Sequence, residues 1–202
     1  MTDGYAADVA ALSREEFDAI EFDAACTGNH ALAAERMIAL ATTGISTPSM
    51  PRAEAFIRAG EQWLLADNPT AAANGFRMAI ADGGPVDVDP RVPLCRALYQ
   101  LGNVDEAVAL IGKLKSGGRS DPRACVMIAE LLLEQFDLAG ALDWATAGVE
   151  LILQGAVSRA PGDTSAASQD SYFGLDELLR LRYRIRNDMR LPEDEYDRML
   201  SV

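Results

Sequence analysis

The chain has 202 residues, 49% of them apolar and 6% aromatic, and a formal net charge of −13. That apolar share supports a continuous core and excludes a disordered chain, and the length fits one domain or two small ones. The charge disfavours nucleic acid and anionic membrane, which would repel it, and leaves basic peptides or proteins as general partners.

Abundant Ala and Leu, few β-branched runs and long stretches of 3.6-residue apolar period predict an all-α fold. The N-terminal MTDGYAADVAAL has no basic region ahead of its apolar residues, so no secretory signal is expected. No run reaches the roughly 18 apolar residues of a membrane span. Cys26, Cys95 and Cys125 fall on predicted helices and read as unpaired core thiols. Reduced thiols suit a cytoplasmic protein.

Residues 1–12 read as a frayed lead-in. Ser13 with Glu16 makes a capping box for a helix over 14–26, with Phe17, Ile20 and Ala24 on its buried stripe. Gly28 and Asn29 turn the chain into a helix over 30–42 carrying Leu32, Ala33, Met37, Ile38 and Leu40. TTGISTPSMP (42–51) is a loop of turn formers. Asn68-Pro69, Asp89-Pro90 and Asp121-Pro122 each place a capping side chain before a proline, which predicts helix starts near 69, 90 and 122. Between them, LGNVDEA (101–107) is the turn of one helical hairpin: Gly102 ends a helix, and Asn103 with Glu106 fits a capping box for the next. Gly117-Gly118 lacks both the GxxxxGK pattern and a preceding strand, so no phosphate loop is expected.

The stretch GAVSRAPGDTSAASQDS (155–171) is poor in large apolar groups and predicts a flexible linker over 155–172. LDELLRLRYRIRNDMR (175–190) reads as a helix, and PEDEYDRML as a short one with an acidic start that suits the helix dipole. The expected organisation is a repeat region over 1–154, the linker, and C-terminal capping helices over 173–202 packed on it.

Small residues recur across the hairpins. Ala72 precedes Ala107 by 35 residues and Ala141 follows it by 34. Gly60, Cys95 and Ala129 lie upstream of them; Phe76, Ile111 and Ala145, then Ala79, Leu114 and Gly148, lie downstream. Such a period marks stacked helical hairpins. On AFIRAGEQWLLADNPTAAANGFRMAIADG (55–83), VPLCRALYQLGNVDEAVALIGKL (92–114) and CVMIAELLLEQFDLAGALDWATAGVEL (125–151), the chain resembles the tetratricopeptide repeat family. It departs from the pattern at Phe136, where a turn glycine is usual, and at Ala145, where an aromatic is usual. Residues 14–42 resemble a divergent first repeat with Ala33 in the small-residue slot. The resemblance implies a right-handed α-solenoid of about four antiparallel helix hairpins with C-terminal capping helices.

It also implies a function, since in this family the first helix of each hairpin lines a concave face that binds extended peptides or helices. The residues expected on that face are Glu61, Leu64 and Leu65, then Arg96, Tyr99 and Gln100, then Glu130, Leu133 and Glu134. The expectation is a protein–protein interaction adaptor for a segment with basic and apolar residues, with Tyr99 and the leucines as anchors and Glu130 and Glu134 selecting Lys or Arg. A structural alternative is that Glu61, Arg96 and Glu130 pair across neighbouring hairpins and brace the stack. The basic-and-Asn clamp of the family's chaperone-tail binders is missing, which argues against an acidic C-terminal tail as partner.

The alternative function is a regulatory or nucleic-acid-associated role for Arg180, Arg182, Arg184, Arg186 and Arg190. These alternate residues spread over several helical faces, which favours internal pairing such as Asp176–Arg180 and Arg184–Asp188. No HExxH, CxxC or GxSxG pattern occurs, and the sole histidine, His30, sits by a turn with no nucleophile spaced to it. Catalysis, a cofactor and a metal are therefore not expected. Self-association through an end face stays open.

Overall fold

The computed structural model describes residues 10–118, 121–157 and 166–201, with side chains at 10–118, 121–155 and 174–200. Among them the protein is all-helical, with ten α-helices, a terminal 3-10 turn (Met199–Ser201) and no strand. The chain divides into two compact units, Met1–Leu110 and Ile111–Val202.

The first unit holds α1 (Arg14–Thr27), α2 (His30–Thr43), α3 (Arg52–Leu65), α4 (Pro69–Asp82) and α5 (Arg91–Gln100), and the first part of α6 (Val104–Ser116). Each of α1 to α5 packs on its chain neighbour. The tightest approach is between α3 and α4. A Cβ added at Gly60 would stand 2.5 Å from the Phe76 ring, and one at Gly75 would stand 3.2 Å from the Phe56 carbonyl oxygen. Two glycines thus let a phenylalanine fill the crossing, which is why α3 and α4 tolerate these weak helix formers. Ala72, Ala73 and Phe76 are fully enclosed there. On the next pair, the Cys95 Sγ lies 4.0 Å from the Ala107 carbonyl oxygen, and both residues are fully buried.

The second unit holds the rest of α6, α7 (Pro122–Glu134), α8 (Leu138–Val157), α9 (Ala166–Asp188) and α10 (Glu195–Arg198). The α7–α8 pair is covered by α9, which packs on both helices. Gly148 on α8 makes this contact possible: a Cβ there would meet the Leu178 methyls at 2.8 Å and the Cys125 Cβ at 2.9 Å. Leu178 and Ile185 of α9 are fully buried.

Three turns repeat in geometry although their residues differ. Asp67, Gly102 and Phe136 all take left-handed backbone, with φ of 54°, 75° and 61°. In each, the next residue's N–H reaches five residues back: Asn68 to Trp63, Asn103 to Leu98 and Asp137 to Leu132, all at 2.9 Å. This is the hydrogen bond that closes a helix C-terminus and starts the chain back. The expected caps at Asn68 and Asp121 form, accepting from Ala71 and Arg123 N–H at 3.1 and 2.9 Å. Asp89 accepts from Arg91 N–H at 2.9 Å, one residue later than its expected helix start.

Several expectations need correction. Ser13 makes no side-chain cap; its hydroxyl donates to the Glu15 carboxylate at 2.6 Å. The end of the lead-in is not frayed: Leu12 N–H donates to the Ile45 carbonyl at 2.8 Å and the Leu12 side chain is buried, while residues 1–9 lie outside those described. Cys26 is exposed, since α1 turns Phe17, Ile20 and Ala24 inward; Cys95 and Cys125 are buried. The linker expected over 155–172 is shortened from both ends, because α8 runs to Val157 and α9 begins at Ala166, where Ala, Gln and Asp sustain a helix. Residues 158–165 lie outside those described. The division between compact units falls inside α6 and not at the linker, because Leu178 and its neighbours tie α9 to α7 and α8.

Candidate functional site

The residues expected on a binding face are at least partly accessible. On α3, Glu61 and Leu65 are exposed and Leu64 is half-buried; on α5, Arg96 and Tyr99 are half-buried and Gln100 is exposed. In the second unit, Glu130 and Glu134 on α7 are exposed and Leu133 is half-buried. Large exposed apolar groups in the first unit include Phe22 and Leu65.

An ion cluster organises the charge around Glu61. Arg58, buried on α3, donates from Nε to Glu21 at 2.7 Å and from a terminal nitrogen to Asp18 at 2.6 Å. Its guanidinium also lies 5.7 Å from the Phe17 ring centre. One arginine thus joins α3 to two carboxylates of α1. One turn beyond, Glu61 has no such cation of its own. Desolvation by surrounding protein, then the charges of Glu54 and Glu21, push its carboxyl up to about 7 against the pull of Arg58. His30, beside the turn between α1 and α2, bridges α2 to α3, with Nδ1 2.9 Å from the Gln62 side-chain oxygen.

In the second unit, Glu130 opens onto a cavity of about 420 Å³ between α7, α8 and α9. Its floor is apolar: Val126 and Met127 of α7, Ile152 of α8 and Leu178 of α9. Asp121, Glu130 and Glu177 bring carboxylates to it, and Arg123 brings a cation. Leu133 and Glu134 lie further along α7 and do not line it. Sequence reasoning missed this cavity, because its walls come from three helices and no single helix's pattern shows what the other two leave open.

The arginines of α9 are mostly committed internally. Arg182 donates to Thr146 at 3.1 Å, to Asp194 at 2.9 Å and to Asp197 at 3.1 Å, and lies 4.7 Å from the Tyr196 ring centre. Arg186 donates to Asp197 at 2.9 Å. Asp194 also caps α10 with Asp197 in a reciprocal box. The Arg182 hydrogen bond, against a smaller cost of burial, holds the Asp194 carboxyl down at about 2. Arg180 pairs with Asp176 at 2.7 Å, while Arg184 and Arg190 are exposed.

Among the described residues no group of three or more His, Cys, Asp or Glu could hold a metal ion, and no helix is long and apolar enough to cross a membrane. Burial pushes the Cys95 thiol up to about 12, so it is inert as a nucleophile at neutral pH. No protein-family model matches the chain, and no curated protein matches it. The tetratricopeptide resemblance therefore rests on the residue pattern.

Proposed function

We propose that this protein is a non-catalytic adaptor of tetratricopeptide type, a solenoid of helical hairpins that binds partner polypeptide on the accessible faces of its hairpins' first helices. The observation that carries the reading is a repeated division of labour. Ala72, Ala107 and Ala141, about 34 residues apart, are fully buried, and the partner helix of each pair keeps Glu61 and Leu65, Tyr99 and Gln100, or Glu130 and Glu134 at least partly accessible. A fold that spends its small residues on helix contact and leaves alternating carboxylate and apolar groups outside is suited to gripping a chain of the opposite character. The net charge of −13 favours a basic segment.

Random peptides selected on the intact chain should combine Lys or Arg with large apolar residues. Leu65→Ala with Tyr99→Ala should weaken a selected peptide by about tenfold or more, the scale of an interface anchor. Selection of acidic peptides, or affinity unchanged by both substitutions, would remove this reading. The rival role in nucleic-acid contact is less well supported, because Arg182 and Arg186 are held by Asp194 and Asp197.

A further inference from the structure

The cavity of the second unit has a feature that packing does not explain. Gly174 lies inside α9, eight residues past its start, and lines the cavity. Glycine weakens a helix interior, and its usual justifications are a left-handed backbone or a close approach. Neither applies here. Gly174 is not among the positive-φ glycines, and among the described residues a Cβ added to it would meet only the Ile152 Cδ1, at an ordinary 3.6 Å. Gly148 nearby is the contrast, since a Cβ there would collide with Leu178. What Gly174 preserves is open volume.

The surroundings of that volume select its occupant. At about 420 Å³ it falls within the range of small-ligand pockets. A purely apolar group would suit Val126, Met127, Ile152 and Leu178 but would strip water from nearby carboxylates without replacing it. An anion would face Asp121, Glu130 and Glu177 with, among the described residues, Arg123 alone in its favour. A cation carried on an aliphatic stem satisfies both parts, its stem on the floor and its head among the carboxylates.

We infer that this cavity receives an aliphatic ammonium or guanidinium chain, the side chain of a lysine or arginine on the bound polypeptide. The inference rests on the adaptor reading for the source of that chain and on the cavity itself for its chemistry, and the two can fail separately.

The test is a titration of the full chain labelled at its methionine methyls, with the Met127 signal assigned through Met127→Leu. The probes are n-hexylammonium, n-hexanol and hexanoate, followed by a blocked Gly-Lys-Gly peptide and its norleucine counterpart. Hexylammonium should shift the Met127 signal saturably, and at about tenfold lower concentration than hexanol or hexanoate. Glu130→Gln with Glu177→Gln should reduce it to the level of hexanol. Gly174→Leu should abolish the response while the helical circular dichroism stays intact. Gly174→Ala, which adds a methyl without a clash, should keep the response and raise Tm, which separates occlusion from misfolding.

No shift with hexylammonium, an equal shift with hexanoate, or a response that survives Gly174→Leu would overturn the cavity's assignment. A response to hexylammonium with the lysine and norleucine peptides indistinguishable would overturn the polypeptide as its source. Preference for the lysine peptide supports both.

Discussion

Arg58 in the first unit and Arg182 in the second are the same device in opposite settings. Each is a buried arginine that ties one helix to two carboxylates on another segment. The acids differ. Asp18 and Glu21 retain 58% and 30% of their side-chain exposure; Asp194 also retains 30%, whereas Asp197 retains 4%. The first cluster leaves carboxylate surface facing water, beside Glu61. The second encloses Asp197, and Asp194 and Asp197 also cap α10. Ion pairs that look alike in sequence can thus furnish a surface for recognition in one place and a closed fastening in the other.

The sharpest way to break that comparison is to delete each arginine. Arg182→Ala together with Arg186→Ala removes both cations from the enclosed Asp197 and should cost about 3–5 kcal/mol. Arg58→Ala lets Asp18 and Glu21 rehydrate and should cost less, about 1–3 kcal/mol. Trp144 and Trp63 lie in different units, so urea unfolding followed by fluorescence in Trp63→Phe and Trp144→Phe backgrounds assigns each loss to its unit. Equal losses would mean that exposure of the partner acids does not distinguish the clusters.

A second comparison sets the turns of the two units against each other. Gly102 takes its left-handed backbone without cost, while Phe136 takes the same conformation with a bulky side chain that is 89% exposed. Phe136→Gly should therefore raise stability by about 1 kcal/mol, and Gly102→Ala should lower it by a similar amount. Denaturation midpoints moving in the same direction would show that the turns are not equivalent.

The smallest expected effect concerns pH. Glu61 is shifted upward to about 7, so the folded protein holds its proton more firmly than the unfolded chain does. Its contribution to stability is neutral below the ordinary carboxyl pKa, declines as pH rises towards 7, and stays unfavourable above that. Asp194 behaves oppositely: its support is present above the ordinary value and is lost only as pH falls through about 2. Glu61→Gln should raise Tm at pH 8 and leave it unchanged at pH 4, while Asp194→Asn should lower Tm at both. A pH-independent effect of Glu61→Gln would show that its carboxyl is not under pressure from desolvation or from Glu54 and Glu21.

Much of the helical frame was legible because its signals are local. Asn68-Pro69 and Asp121-Pro122 marked helix starts through side chains that reach two or three residues ahead. The spacing of Ala72, Ala107 and Ala141 marked buried contact positions. What was not legible depends on distant partners. Gly75 is explained only by Phe56 and Gly60 across the helix pair, and Gly174 only by a cavity whose other walls lie more than twenty residues away in sequence. Phe136 lacks the glycine signal of its turn, which only the repeat register marked, and the hydrogen bond from Asp137 to Leu132 forms there with left-handed backbone. Of the cavity, Glu130 is among the residues expected on a binding face, while Met127 and Glu177 beside it went unrecognised.

The habit of each helix in the first unit of packing on the one before it has a consequence for biosynthesis. Contacts between chain neighbours close short loops, and short loops close quickly. Once α4 has emerged from the ribosome, α3 already has the phenylalanine that fills its glycine notch. The nascent chain can settle pair by pair during translation, with little apolar surface waiting for a distant segment to arrive.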